Sequence, residues 1–233
     1  MSRHPYVAPN FARTKQLVFD SLPFNKNIEV QSFKITVRLL GGLLTAYQMD
    51  GDKRFITLAE DLGKRLLPVF NTPTGMPYRF VHLQSGKIRD SLNNPAKIGT
   101  ALIEFGTMSK LTGNPIYYHK AKGALVALYT QRSKVGLVGE LINVKTGEWV
   151  NKISHIGGGI DSYYKYLLKS LRFFQDQDCR NMADESMKAV DLYIADTMHG
   201  TLSRGKSIVA AIGDSPRANS LLKRKTNCLN YIR

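Results

Sequence analysis

Cysteine is almost absent: Cys179 and Cys228 are the only two in 233 residues. At most one disulfide can form, and the spacing of the pair matches no zinc-binding pattern. Acidic residues are also scarce, with 18 Asp and Glu against 33 Lys and Arg, for a net charge of +15. A surplus of that size raises binding to nucleic acid or another anionic surface as a function class. Its distribution argues against nucleic acid, because the basic residues are spread along the helical segments. The one dense cluster, Lys223-Arg224-Lys225, sits near the C-terminus, and solvated helix faces account for the rest. Long apolar runs are missing too. Arg38, Asp50, Glu60 and Lys64 interrupt the best candidates, so no stretch reaches the roughly 18 to 20 residues of a membrane span. The first fifteen residues lack the apolar stretch of about 7 to 15 that a secretory signal needs, so a secretory location would mean a leader removed or never present.

Apolar residues nevertheless make up 43% of the chain, enough for a substantial core. Their spacing is helical. Leu58, Ala59, Leu62, Leu66, Leu67 and Phe70 follow the i, i+3, i+4, i+7 rule and predict a helix from Phe55, ended by Pro68 and the turn residues 71–77. The same reading predicts helices over 33–49, 97–110, 116–131, 162–174 and 182–196. The Gly41-Gly42 pair, unfavourable inside a helix, points to tight contact with a neighbouring backbone.

The chain also repeats itself. Gly51-Asp52 with Phe55 and Ala59 recurs 62 residues later as Gly113-Asn114 with Tyr117 and Ala121, a helix end, a turn and the next helix. A weaker third copy runs from Phe174 through Ala183. Between the copies, residues 82–88 match residues 143–149, each with alternating apolar residues around a Ser-Gly or Thr-Gly turn, the signature of a short β-hairpin. Hairpins of about 60 residues predict an all-α fold, a toroid in which inner helices ring an axis and outer helices cover them. Six or seven pairs usually close such a ring and about three and a half fit here, so residues 1–233 read as one incomplete domain. The pattern decays after Gly200, leaving 201–233 as a weakly matching tail with one apolar run at Ile208–Ile212.

Several motifs are specific: residues 27–33 (NIEVQSF), 38–44 (RLLGGLL), 66–75 (LLPVFNTPTG), 104–107 (EFGT), 136–139 (GLVG) and 158–163 (GGIDSY). By them the segment from about Phe24 to Lys169 resembles glycoside hydrolase family 47, the class I α-1,2-mannosidases. It looks most similar to the branch of endoplasmic-reticulum degradation-enhancing mannosidase-like proteins. The resemblance implies a partial (α/α)7 toroid with short β-hairpin connections. It also implies action on high-mannose N-glycans of glycoproteins, in glycan trimming or ER-associated degradation, and a location in the endoplasmic reticulum lumen or secretory pathway. Members invert at the anomeric carbon, which takes a general acid and a general base about 6.5 to 9.5 Å apart, and use calcium to orient the mannose hydroxyls.

Carried over residue by residue, the resemblance makes position 34 the general acid, where a Glu is expected and Lys34 stands, and Asp161 the base. Arg38 and Glu104 become substrate contacts. Lys97 and Lys165 occupy further positions at which relatives commonly carry Glu. Lysine has an ordinary pKa near 10.4 and protonates a glycosidic oxygen poorly, and loss of a general acid costs about 10² to 10⁴ in rate. The chain stops before the family's third carboxylate motif and its calcium-binding Thr, so no metal ligand is assigned.

Plainer roles stay open for these residues. Asp161 can cap the helix that follows it, Arg38 can pair with Glu104, and the three lysines can be ordinary surface residues. His82, His119 and His155 fit no ligand spacing and read as loop or helix-surface residues. The tyrosines and phenylalanines of 163–174 read mostly as core packing. The leading expectation is a catalytically impaired mannosidase-like chain that binds high-mannose glycan or misfolded glycoprotein and can self-associate through its open half-ring. The alternatives are an active mannosidase completed by a missing segment or a partner chain, and a basic helical-repeat binding module.

Overall fold

The computed structural model describes residues 7–194 and 209–211. Three helical hairpins follow one another. The first runs through α2 (Ser32–Ile35), one π turn (Thr36–Leu40), α3 (Gly41–Asp50) and α4 (Arg54–Leu66). The second has α5 (Pro95–Gly99), α6 (Leu102–Thr112) and α7 (Ile116–Thr130), and the third α8 (Asp161–Phe174) and α9 (Gln177–Tyr193). A further helix that the periodicity did not reveal, α1 (Val7–Ser21), precedes them. Helices α3, α6 and α8 pack side by side, each covered by the helix that follows it.

The 62-residue repeat appears as geometry. Helices α3, α6 and α8 each end in a left-handed residue: Gly51 at φ 81°, Gly113 at φ 72° and Gln175 at φ 54°. Position 175 is the third copy, 62 residues beyond Gly113, with an L side chain in a conformation that favours glycine. Four residues after each left-handed position the chain buries Phe55, Tyr117 and Cys179, and four further on Ala59, Ala121 and Ala183. Small residues at the second position let each outer helix approach the inner layer. Leu40, Leu62, Leu66, Phe105 and Tyr163 fill the space between.

The β-hairpins form as expected and each gains a strand. In the first sheet β1 (Glu29–Gln31) pairs with β2 (Phe80–His82), which pairs with β3 (Ile88–Arg89), register Val30↔Val81↔Ile88. In the second, β4 (Leu92–Asn93) pairs with β5 (Leu141–Asn143), and β5 with β6 (Trp149–Asn151). Their turns use Gly86 at φ 68° and Gly147 at φ 78°. The third sheet pairs β7 (Ile153–His155) with β8 (Val209–Ala211), which gives a place to part of the apolar run at 208–212. The rest of the 201–233 tail, Lys223-Arg224-Lys225, Cys228 and the end of the helix expected over 182–196 lie outside the described residues.

Two expected helices are interrupted. The one over 33–49 carries the π turn, closed by Gly41 N–H donating to Thr36 O. The one over 97–110 breaks at Thr100–Ala101. There Gly99 lies against Tyr163, where a Cβ would stand 3.0 Å from its ring, and the Thr100 hydroxyl turns back to Ala96 O. The Gly41-Gly42 expectation also needs correction: Gly41 faces the Glu104 side chain, whose Cγ would stand 3.5 Å from an added Cβ, and Gly42 faces open space. No helix among the described residues is long and apolar enough to cross a membrane.

Candidate functional site

The candidate residues stand near the starts of the inner segments: Lys34 on α2, Lys97 on α5 and Asp161 at the head of α8, 63 and 64 residues apart. Asn94 caps α5 by accepting from Lys97 N–H at 3.1 Å, and Pro95 in the first turn suits the missing donor there. The glycine loop before α8 docks on the same place, Ala96 N–H donating to Gly159 O at 2.8 Å. Lys97 and Asp161 are therefore brought onto adjoining segments, and the packing of α2 on α5 adds Lys34.

Lys34, Arg38 and Lys165 are exposed, and Lys97 and Asp161 half-buried. Among the described residues none of Lys34, Arg38, Lys97 and Lys165 has a carboxylate within 4.0 Å. Arg38 lies in the π turn, a distortion that often marks functional sites because the extra residue re-aims the side chains around it. Burial is the main cause that lowers the Lys97 ammonium below its ordinary range. Arg79 and Lys34 push the same way and Asp90 opposes them. Arg79 sends Nη1 to Asp90 at 3.2 Å and buries Nε without a hydrogen-bond partner. The sequence reading passed over Arg79, which lies in no motif and reaches Lys97 only through the first sheet.

Glu104 is buried, 8% exposed, and its partner is not Arg38. Its Oε1 accepts from the Tyr166 hydroxyl at 2.8 Å, and its Oε2 is buried with no partner. The ion pair with Arg38 is not made, because Glu104 turns into the layer between Gly41 and Tyr166 while Arg38 faces solvent. Tyr166, read as packing, is thus the hydroxyl that orients a candidate site carboxyl. The capping reading of Asp161 also fails: Ile160 is the cap residue, α8 has no side-chain cap, and Asp161 lies in the first turn. There its charge still suits the positive end of the helix. Of the three histidines only His119 is exposed on a helix; His82 is half-buried on β2, and His155 is 8% exposed on β7, its Nδ1 taking the Gly157 N–H at 3.0 Å.

Burial raises the Glu104 carboxyl above 4.5, with the Tyr166 hydrogen bond acting in the opposite direction. A raised folded value means that the proton favours the folded state. This stabilisation is complete below pH 4.5 and is lost as pH rises through the raised value. Glu104→Gln keeps the hydrogen bond and removes the charge. It is expected to raise stability at pH 8 by about 1 to 2 kcal/mol and to change little at pH 4, read from urea midpoints. An equal effect at both pH values counts against a charged Glu104.

Among the described residues no group of three or more His, Cys, Asp or Glu is placed to hold a metal ion.

Comparison with known proteins bears on this arrangement. The profile of glycosyl hydrolase family 47 matches residues 7–227. The chain is 38% identical over 197 residues to alpha-mannosidase I MNS4 of Arabidopsis thaliana, covering 79% of this chain and 32% of that protein. Against human ER degradation-enhancing alpha-mannosidase-like protein 2 it is 36% identical over 197 residues, 78% of this chain and 34% of the relative. The chain thus spans about a third of the length of these curated relatives. The solved structure of an alpha-1,2-mannosidase from Trichoderma reesei superposes with a TM-score of 0.70 at 25% identity, covering 79% of this chain and 42% of that one. The three hairpins are accordingly part of an (α/α)7 barrel.

Proposed function

Because the chain belongs to glycosyl hydrolase family 47, we propose that it is a mannosidase-like glycan-binding protein of the secretory pathway that holds high-mannose N-glycans and hydrolyses them poorly or not at all. One observation carries this reading: an exposed lysine, Lys34, stands where the resemblance requires the general acid. Glycosidic cleavage needs a proton on the departing oxygen as the bond breaks. A neutral carboxylic acid supplies it and becomes a carboxylate, whereas an ammonium in water is a weak donor. Asp161, half-buried at the head of α8, keeps a carboxylate in the base role. A base that activates water still leaves the leaving group unprotonated. Arg38 and Lys97 supply donors for sugar hydroxyls, and Glu104 an acceptor on the buried side.

The test incubates the full chain with a high-mannose N-glycan in calcium-containing buffer, beside a Lys34→Glu, Lys165→Glu variant. Glycan-array binding with mannose release at background is the expected result. Restoring the acid is worth about 10² to 10⁴ in rate where it is the missing group. Calcium-dependent release by the unmodified chain, as fast as by the variant, would show that Lys34 is not the defect.

A further inference from the structure

We infer that His155 is a positioning residue for Asp161: its neutral ring holds Gly157, and through Gly157 the backbone that starts α8. The base role of Asp161 rests on the reading above; the hold on its backbone rests on hydrogen bonds alone. Between the two lie three consecutive glycines, Gly157, Gly158 and Gly159, which have no side chains to fix their own backbone. Its shape is set from outside. The His155 Nδ1 accepts from Gly157 N–H at 3.0 Å. Gly157 O in turn accepts from Ile160 N–H at 3.2 Å and from Asp161 N–H at 3.0 Å, which fixes the first turn of α8. Two residues on, Gly159 O accepts from Ala96 N–H of α5 at 2.8 Å, so the same loop also seats the segment that carries Lys97.

The hold depends on the charge of the ring. An imidazole nitrogen that accepts carries no hydrogen, so the neutral ring keeps its hydrogen on Nε2. Nε2 stands 3.9 Å from Glu140 Oε1, within reach of an ion pair and too far for a hydrogen bond. Glu140 is itself fixed: its N–H donates to Asn151 O at 3.0 Å and its Oε2 accepts from Asn151 Nδ2 at 2.7 Å. The strand paired with β7 brings Val209, Ala210 and Ala211, which do not titrate. A second proton puts a hydrogen on both ring nitrogens. The Nδ1–H and the Gly157 N–H are then two donors facing each other, while the new charge draws Nε2–H towards Glu140. His155 is only 8% exposed, so water does not readily replace the lost bond. Acidification is therefore expected to loosen the glycine loop and the first turn of α8.

The experiment measures amide hydrogen exchange of the full chain by NMR, without glycan, as protection over the unstructured rate. It compares about pH 7.5 with about pH 5, on either side of the range in which imidazoles charge. Wild-type protection at the Ile160 and Asp161 amides is expected to fall about tenfold between the two. His155→Asn supplies an amide oxygen near the Nδ1 position and does not titrate, so it should keep the high-pH protection at both. His155→Leu should lose it at both, and His119→Asn, exposed on α7, should show the wild-type profile. A histidine that merely fills space would give no step with pH and no rescue by asparagine. No fall on acidification, or the same fall in His155→Asn, overturns the inference, and neither result needs the leucine variant to fold. Calorimetric titration of a neutral high-mannose glycan at the same pH values connects the loop to the site. Affinity should fall with protection in the wild type and hold in His155→Asn. Glycan bound equally at both pH values while protection falls overturns the positioning role and leaves the glycan-binding reading standing. Protection that follows the ring with no glycan bound at either pH sinks that reading and leaves the hold on Asp161.

Discussion

Asp176→Ala is expected to destabilise the fold by about 3 kcal/mol, the largest loss from any single charged side chain described above. Three bonds end on this one carboxylate. Oδ1 caps α9 by accepting from Cys179 N–H at 3.1 Å, and Oδ2 accepts from Lys122 Nζ at 2.5 Å and from the Tyr118 hydroxyl. The side chain is only 10% exposed, so water replaces little of what alanine removes. Loss of the cap costs about 1 kcal/mol, and the remainder comes from the Tyr118 hydroxyl left without its acceptor and from Lys122 left with only the exposed Asp178 carboxylate. These ties, with Tyr129 and Arg132 to Glu185, join outer helices α7 and α9. Denaturant midpoints of Asp176→Ala, Asp176→Asn and Asp178→Ala separate the contributions. Asn should keep the cap and lose less, and Asp178, 69% exposed, should matter by under about 0.5 kcal/mol. Equal losses at 176 and 178 would remove the argument.

The same carboxylate sets the acid limit. Burial works to raise its pKa, yet the bonds from Lys122, Tyr118 and the Cys179 N–H outweigh it and hold the group at about 2, below its ordinary 3.8. A depressed folded value stabilises the fold above pH 3.8, and that contribution is lost as pH falls through 2. Stability of the wild type should therefore drop between about pH 4 and pH 2 more steeply than that of Asp176→Asn.

Gly139→Ala is the second large effect, at about 2 to 3 kcal/mol, and its cause is space rather than conformational freedom. A Cβ there would stand 2.5 Å from Asn151 O and 2.7 Å from the Trp149 ring. Neither neighbour can give way cheaply. Asn151 O accepts from Glu140 N–H at 3.0 Å, and the indole is anchored by Nε1 donating to Gln131 O at 2.6 Å. The second sheet would open or shift, with loss of thermal stability and of protection at the amides of β5 and β6. Gly42→Ala is the control: nothing lies within 4 Å of its added Cβ, it is helical, and a gain of about 0.5 to 1 kcal/mol is expected. If Gly139→Ala melts like the wild type, the sheet is looser than these distances imply.

The sequence by itself determined most of the helices, the hairpin repeat and the residue types of the site, and missed α1. Those features depend on local rules: a 3.6-residue period, a left-handed turn at 51 and 113, a Ser-Gly or Thr-Gly hairpin. The helix-end turn recurs after 62 residues and the hairpin after 61, whatever surrounds them. Of the residues expected at the site, Glu104 and Asp161 lie in motifs, and Lys34 and Lys97 were reached through the family resemblance. Only the tertiary structure decided what each of them faces. Tyr166 rather than Arg38 bonds Glu104, Ile160 rather than Asp161 caps α8, and Arg79 arrives beside Lys97 from another segment. The π turn at 36–40 and the break at 100–101 belong with these, since neighbouring helices and not local propensity select them. Hydrogen-bond partners, burial and charge repulsion act between segments 16 to 70 residues apart, and a linear pattern has no term for a distance that only folding creates.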